Sequence, residues 1–478
     1  MTGEESTPSD WAPGAEMNSF ETVMWRIEND PMLRTPAMSC LELDVVPDHE
    51  RLLAVHEAAV AAVPRLRQRV VEPLFGLGVP RWTTDPHLDL RFHLRRHRLP
   101  RGGGWPALMD GLSQFYMTPL DRTRALWEAL LVEGLPGGGA LYALKMHHSV
   151  SDGLGVMQLL GRVLSPDRDT DRRDPTVAPP VAATPMSPAE ALLAQAGHDV
   201  ATAAGNAVGA AGFVRRLATR PLTTTRDAGA YLSSLGRVLR PPSAANSDLL
   251  AQRSMTLRLA ALDVPFPRLR AAASAAGGSV NDAFLAALLG GYRVLHERSG
   301  TAVPDAVPTA MPISLRRPDD PEGGNRIASA RFAGPVGERD AARRIALVRH
   351  AVRAVRDEPA VDVIGLVSPV LARLPGDVVA TLAGPMTKGN DLHASNVPGL
   401  RGDHHLAGGR VERFYGYGPL GGGASLITLV THGDTACIGV GVDTAAFPDH
   451  DLLLESLVEG FAEVLALAPG PGRPTVRG

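Results

Sequence analysis

Cysteine is nearly absent from this chain: 478 residues hold two, Cys40 and Cys437. They lie far apart in apolar surroundings, with no CxxC pair and no ligand-like spacing, which argues against a disulfide framework and a cysteine-built metal centre. Both read as buried thiols in a reducing compartment. A basic surplus is also missing. The formal net charge is -3, so nothing in the balance favours a phosphate backbone, and nucleic acid is not expected as a partner. Long unbroken apolar runs are missing too. The weakly polar stretch from Ala194 to Val214 is interrupted by His198 and Asp199, and that from Val361 to Gly384 by Pro369, Arg373, Pro375 and Asp377. A bilayer span needs about 20 continuous apolar residues, and neither stretch provides them. The acidic start MTGEESTPSDW lacks the basic and apolar regions of a secretory signal, so a cytoplasmic protein is expected, with contact at a membrane surface left open.

What the chain does have is length, and a composition, 44% hydrophobic and 21% charged, close to that of folded proteins. Its length predicts two domains rather than one core. A Pro-rich, charged and aperiodic segment from Ser165 to Pro185 reads as an exposed linker. After it, SPAE offers Ser187 as helix cap, Pro188 at the first helical position and Glu190 closing a capping box. An Ala-rich helix is predicted from there toward Arg215, Arg216 and Arg220, whose charges suit a helix C-terminus. A second polar stretch, Arg240 to Asp248, closes the connecting region. The chain therefore divides into residues 1–164, a connecting region 165–252, and residues 253–478.

The flanking halves share a pattern. In the first, LWEALLVEG and ALYALKMHH are apolar runs joined by a turn and followed by a helix with Val156, Leu160 and Val163 at helical spacing. In the second, LITLVTHGD and ACIGVGVD lead to DHDLLLESLVEGFAEVLAL. Strand, turn, strand, helix thus occurs twice. Two related α/β lobes follow, with a binding site in the crevice between them.

The stretch MHHSVSDGLG (Met146 to Gly155) ends the first such strand. Alternation sets Tyr142, Leu144, Met146 and His148 on one face and Leu141, Ala143, Lys145 and His147 on the other. The two histidines therefore have different surroundings, and parity alone leaves open which one meets a reaction channel. A strand-end histidine is commonly structural, and neighbours on opposite faces cannot readily share one metal ion. No GxSxG elbow is present, so Ser149 and Ser151 read as a polar turn rather than as nucleophiles.

The string H-H-x-x-x-D-G resembles the active-site motif of the CoA-dependent acyltransferase superfamily with the chloramphenicol-acetyltransferase fold, which includes the condensation domains of peptide synthetases. Further segments resemble the bacterial wax ester synthase/diacylglycerol acyltransferase family: VPRLRQRVV (Val63 to Val71), PLDRTRALWE (Pro119 to Glu128), SVNDAFLAAL (Ser279 to Leu288), MPISLRRPDDPEGGNRIA (Met311 to Ala328), SNVPGL (Ser395 to Leu400) and GVDTAAFPDHDLLLE. They cover nearly the whole chain. In DPMLRTPAMSC, Leu33 follows Met32 where that family usually has histidine.

The resemblance implies an α/β (α+β) protein of two chloramphenicol-acetyltransferase-like lobes, each a mixed sheet with helices, with the active site in a tunnel between them. It implies an acyl-CoA-dependent O-acyltransferase that esterifies diacylglycerol to triacylglycerol, a long-chain alcohol to wax ester, or both. His148 would be the general base. Asp152 would hold the loop, with Arg67 as a candidate partner or else a solvated helix-end charge. His147 would position the loop, with a modest direct catalytic role left open, and Gly153 would let the backbone pass tightly into the helix. Ser279 and Asp282 are explained by helix capping, whereas the amide of Asn281 is a candidate oxyanion or acceptor contact. Asn325 reads as a loop residue. No metal or prosthetic group is implied, acyl-CoA being a substrate. Lipid substrates suggest peripheral contact with the inner membrane face or lipid droplets. Condensation on a carrier-bound thioester, and a non-catalytic lipid-binding role for the fold, are the alternatives.

Overall fold

The computed structural model of the chain describes residues 14–76, 78–170, 185–196, 244–314, 327–356, 368–369 and 371–477. Most of the connecting region, including Arg215, Arg216 and Arg220, lies outside the described residues, as does Asn325. The start of its helix is described over 188–196 and carries the expected capping box: Ser187 N donates to Glu190 Oε2 at 2.7 Å and Glu190 N to Ser187 Oγ at 3.3 Å.

Strands run in chain order as β1 (Pro36–Leu43), β2 (Gln68–Val71), β3 (Arg81–Thr84), β4 (Leu94–Arg98), β5 (Trp127–Glu133), β6 (Ala140–His147), β7 (Leu257–Pro265), β8 (Val307–Ser314), β9 (Ile327–Gly334), β10 (Leu392–Val397), β11 (His405–Leu406), β12 (Gly409–Tyr417), β13 (Ser425–His432), β14 (Thr435–Asp443) and β15 (Thr475–Val476). The helices named below are α1 (Ser19–Ile27), α2 (His49–Ala62), α3 (Leu90–His93), α4 (Gly104–Met117), α5 (Gly153–Val163), α6 (Phe266–Ala275), α7 (Val280–Arg298), α8 (Ala341–Arg356), α9 (Gly376–Lys388) and α10 (His450–Leu465).

A six-stranded sheet has the order β11-β12-β1-β6-β5-β4, and a seven-stranded sheet the order β15-β7-β14-β13-β10-β8-β9. Both are mixed: β4 runs parallel to β5, and β10 parallel to β13 and β8, while the other pairings are antiparallel. Every residue of β6 is buried, which explains its near-continuous apolar text. Tyr142, Leu144 and Met146 pack with residues of α2 and α5, whereas Leu141 and Ala143 point the other way toward α4. The repeated strand, turn, strand, helix pattern is present as β5, β6 and α5, and again as β13, β14 and α10.

The sheets do not divide where the composition does. Strands β11 and β12 follow residue 400 in the chain, yet β12 pairs with β1 through Cys40↔Tyr415 and Met38↔Tyr417. The first lobe is therefore completed by chain from 253–478, because an otherwise bare edge of β1 is covered by pairing. The segment crosses between lobes after the turn at Gly399, where an added Cβ would lie 1.5 Å from Thr431 O. Only glycine lets the backbones approach so closely.

Helix α4 seals the seam between lobes: its Ser113 Oγ accepts from Leu259 N at 3.0 Å. Cys40 and Cys437 both fall in this seam as free, buried thiols. Burial pushes both thiols up, Cys437 to about 12, so neither supplies a thiolate near neutral pH. Among the described residues no single helix is long and apolar enough to cross a membrane.

Candidate active site

Strand β6 carries the motif to the meeting point of the lobes. It pairs with β1 through Pro36↔His147, and His148 N donates to Thr35 O at 2.9 Å, one bond beyond the ladder. This extra bond keeps the strand's alternation through His148. The two rings therefore go opposite ways: His148 lines a large cavity, and His147 borders a small one of about 90 Å³.

His147 is locked on both nitrogens. Ser149 N donates to its Nδ1 at 3.1 Å, and Ser149 Oγ lies 2.7 Å from the same atom. With Nδ1 accepting, the network assigns the proton to Nε2, which faces Glu28 Oε1 at 3.1 Å. Glu28, the C-cap of α1, also accepts from Thr35 N at 2.6 Å and Thr35 Oγ1 at 3.0 Å. Burial works against the charge on Glu28, but the His147 ring and both Thr35 donors outweigh it and lower the carboxyl to about 2. A carboxylate from the first helix thus holds the first histidine, and that histidine holds the turn following the second.

Asp152 caps α5, accepting from Gly155 N at 2.9 Å, and is buried within the cavity wall. Its charge suits a helix N-terminus. Gly153 follows, and a Cβ there would meet Val397 Cγ2 at 3.1 Å. A side chain there would crowd β10 of the other lobe, a different reason for glycine from a backbone demand within the loop.

Of the two readings of Arg67 the helix-end one holds, and the expectation for Asn281 needs correction. Arg67 does not pair with Asp152: its Nη1 donates to Val60 O and Ala61 O, both at 3.3 Å, closing the end of α2. A helix C-terminus leaves carbonyls without partners, and a guanidinium five residues on satisfies two of them. Asn281 is absent from the cavity lining. Its Nδ2 lies 3.1 Å from Met311 Sδ, behind a residue that does line the cavity. Ser279 caps α7 as expected, and Asp282 completes a capping box with it.

The large cavity measures about 600 Å³ and lies between the lobes. From the first lobe come His148, Asp152, Gly153, Leu144 and Met146, with Phe20, Val23, Met24 and Ile27 of α1. Leu33 is buried and lines the cavity, so the position where the resembling family usually has histidine is apolar here. Two rows of the second sheet supply the facing wall. One is Leu426, His393, Ala310 and Arg331, in register across β13, β10, β8 and β9. In the next, Thr428 pairs with Ser395 and Pro312 with Ser329. All eight line the cavity. The remaining lining sets apolar side chains such as Leu154, Val156, Met157 and Leu371 beside polar ones such as Ser39, Thr387 and Asn390.

His393 is buried, and burial together with the nearby Arg253 charge lowers its pKa to about 4, so the ring is neutral near pH 7. Sequence reading passed over Glu28, Thr35, Arg331, His393 and Thr428. The available signal was the alternation of His393 and Ser395 within LHASNV, directly before the SNVPGL turn. Its segment Ser395 to Pro398 does border the cavity. Among the described residues no group of three His, Cys, Asp or Glu side chains converges to hold a metal ion.

A two-lobed mixed α/β protein with an interlobe cavity has the architecture of the condensation domains. The first condensation domain of the CDA synthetase superposes with a TM-score of 0.56 at 19% identity, covering 97% of both chains. The wax ester synthase/diacylglycerol acyltransferase of Marinobacter aquaeolei VT8 gives 0.63 at 20% identity, covering 94% of this chain and 98% of that one. These likenesses establish the fold. In sequence, residues 17–284 match the wax ester synthase/diacylglycerol acyltransferase catalytic domain and residues 323–464 the corresponding C-terminal domain. A Mycobacterium tuberculosis H37Rv protein provisionally named a diacylglycerol O-acyltransferase is 36% identical over 460 residues, 95% of this chain and 93% of its own. The chain belongs to the wax ester synthase/diacylglycerol acyltransferase family and is an O-acyltransferase that acts on a lipid alcohol.

Proposed function

We propose that this enzyme transfers the acyl group of an acyl-CoA to diacylglycerol, giving triacylglycerol, with His148 as general base. The observation that carries the reading is the position of His148. It stands at the end of β6 and borders an apolar cavity of about 600 Å³, while its neighbour is tied down on the far side of the strand.

In the mechanism, neutral His148 takes the proton from the acceptor hydroxyl as that oxygen attacks the thioester carbonyl carbon. The imidazolium formed on His148 lies beside the tetrahedral oxyanion and balances its charge. Collapse breaks the carbon–sulfur bond, and the proton held on His148 passes to the departing CoA sulfur. One ring carries the proton both ways, so the reaction calls for no acyl-enzyme, metal or prosthetic group. Asp152 and His147 position the loop without meeting the reacting atoms. The apolar wall takes the acyl chains, and a largely hydrocarbon lining matches an acceptor drawn from a membrane or droplet surface by a cytoplasmic, peripherally bound protein. No nucleic acid enters the scheme.

The test is release of CoA thiol from palmitoyl-CoA with dioleoylglycerol or hexadecanol supplied separately. The native enzyme should release thiol only with acceptor present, faster with dioleoylglycerol, and His148→Ala should reduce the rate by roughly a hundredfold or more. Undiminished release by the variant would remove His148 from the mechanism, and a preference for hexadecanol would make wax ester the product.

A further inference from the structure

One side of the cavity is roofed by α1 and α9, and the outer side of that roof departs from the usual pattern of a surface helix. Val23 and Ile27 of α1 pack with Val379, Ala380 and Ala383 of α9 in a small core of their own. The same helices line the cavity, α9 through Ala383 and Thr387. A helix so placed ordinarily turns a charged face to water. In α9 the ten residues from Val378 to Thr387 carry no charge. Val378 and Leu382, one turn apart on the outer stripe, are exposed, Leu382 by 55%. The charges at the two ends of α9 are engaged by the loop after α1, where Asn29 Nδ2 donates to Asp377 Oδ1 at 2.9 Å and Lys388 Nζ to Asp30 Oδ2 at 2.5 Å.

The neighbouring hairpin tip, between β2 and β3, has the same character. Leu74 is exposed there, and Phe75 is 88% exposed. Phe75 also holds φ +60° and ψ 13°, in the left-handed region that a bulky side chain rarely adopts. Backbone outliers of this kind persist where the surrounding structure imposes them, commonly at functional sites. The tip and the start of α9 are fixed to one another through the buried Arg26 of α1. Its guanidinium donates to Gly76 O and Gly78 O at 3.0 and 2.7 Å, and to Ala372 O and Leu374 O at 2.8 and 3.0 Å. Beyond the tip, Val79 N donates to Gln195 Oε1 at 2.8 Å, which brings the helix over 188–196 alongside with its exposed Leu193. Ten large apolar side chains are exposed among the described residues, and five of them belong to these three adjoining segments. Such a concentration marks a contact surface.

What covers the patch follows from what lies beneath it. Helix α9 turns Val378 and Leu382 outward and Ala383 and Thr387 toward the cavity, so one helix separates the patch from the space where a lipid alcohol must arrive. The uncharged outer face suits hydrocarbon, whereas a protein partner is ordinarily met by a polar rim. Resting on the acyl-transfer reading above, we propose that Leu74, Phe75, Val378 and Leu382 dock on a phospholipid bilayer. The Phe75 ring enters the acyl-chain region, and the contact sets the cavity against the membrane from which the acceptor is drawn.

The experiment is co-sedimentation with dioleoylphosphatidylcholine vesicles, without acyl-CoA, of the native protein, Phe75→Asn, Leu382→Ser and a control, Leu347→Ser, which alters an exposed leucine of α8. Asparagine tolerates the left-handed backbone, so Phe75→Asn tests the ring rather than the turn. The native protein and the control should bind alike, Phe75→Asn about tenfold more weakly, as expected for an aromatic ring withdrawn from hydrocarbon, and Leu382→Ser several-fold more weakly, with melting temperatures unchanged. No binding by the native protein, equal binding by Phe75→Asn, or binding abolished by about 0.5 M salt would overturn the proposal, the last because screening removes charge contacts and not apolar ones. A lowered melting temperature in Phe75→Asn would also overturn it, because the ring would then be covered by another part of the chain. Dissociation of a native dimer by that substitution would do the same, a second copy being the occupant. In the thiol-release assay the variants should lose rate with dioleoylglycerol presented in vesicles and keep it with dissolved dihexanoylglycerol, and an equal loss with both would count against the docking surface. If the native enzyme esterified neither, the acyl-transfer reading would fail, while sedimentation would still decide whether this face meets the bilayer.

Discussion

The two walls of the cavity are unlike. On the first-lobe side the motif is tied down: His147 is held at both ring nitrogens, Asp152 caps α5, and Glu28 takes three contacts from His147 and Thr35. On the second-lobe side, among the described residues, His393 Nε2 and Thr428 Oγ1 are buried without a partner. The contrast separates two kinds of work. A group that moves a proton must be presented in one orientation before substrate arrives, and a closed hydrogen-bond network achieves that. A wall that only surrounds a ligand has no such requirement.

If the first wall is held rigid for catalysis, loosening it should damage turnover in proportion to how directly each residue holds the loop. The largest effect after loss of His148 itself is expected from Asp152→Ala. It removes a buried helix cap, which costs about 1 kcal/mol of stability, and lets the loop move, so kcat should fall tenfold or more with both acceptors. Calorimetric melting and parallel assays check this, and a loss confined to one acceptor would break the division between the walls.

Glu28→Gln should come next. Its carboxyl is lowered to about 2, below the unfolded value of about 4.3, so its contribution is complete above that unfolded value and declines as pH falls toward 2. Denaturant titrations should find the variant less stable at pH 7, with the gap narrowing between about pH 4.5 and the most acidic condition at which the protein stays folded. A constant gap would mean that the carboxylate charge is not what holds His147.

A smaller effect is expected at the contact between walls. Gly153→Ala sets a methyl against Val397, so kcat should fall a few-fold and recover in the double variant with Val397→Ala. Failure to recover would place the cost in the loop rather than between the lobes. Least of all should follow from Arg67→Ala, because its guanidinium closes the end of α2: about 0.5 kcal/mol of stability, and unchanged kinetics.

Much of the site could be read from the chain because it was local. The alternation that put Leu144, Met146 and His148 on one face held through His148, and the capping box at Ser187 and the cap at Ser279 depend on neighbours three positions away. The sequence left two readings of Arg67, and the helix-end one holds; Asn281, expected as an oxyanion or acceptor contact, stopped behind Met311. Glu28 was passed over because a carboxylate at the end of a helix has no local mark of the histidine it will meet more than a hundred residues later.

By itself the sequence determined the elements: period-two apolar runs become strands, caps start helices, and the order strand, turn, strand, helix appears twice because backbone propensity and side-chain spacing act over a few residues. Tertiary structure alone decided that β12 completes the first-lobe sheet, that Glu28 meets His147, and that His393 and Thr428 share a cavity wall with His148. Those juxtapositions depend on strand register and on the packing of one lobe against the other, which involve residues hundreds of positions apart and leave no periodic trace in the chain.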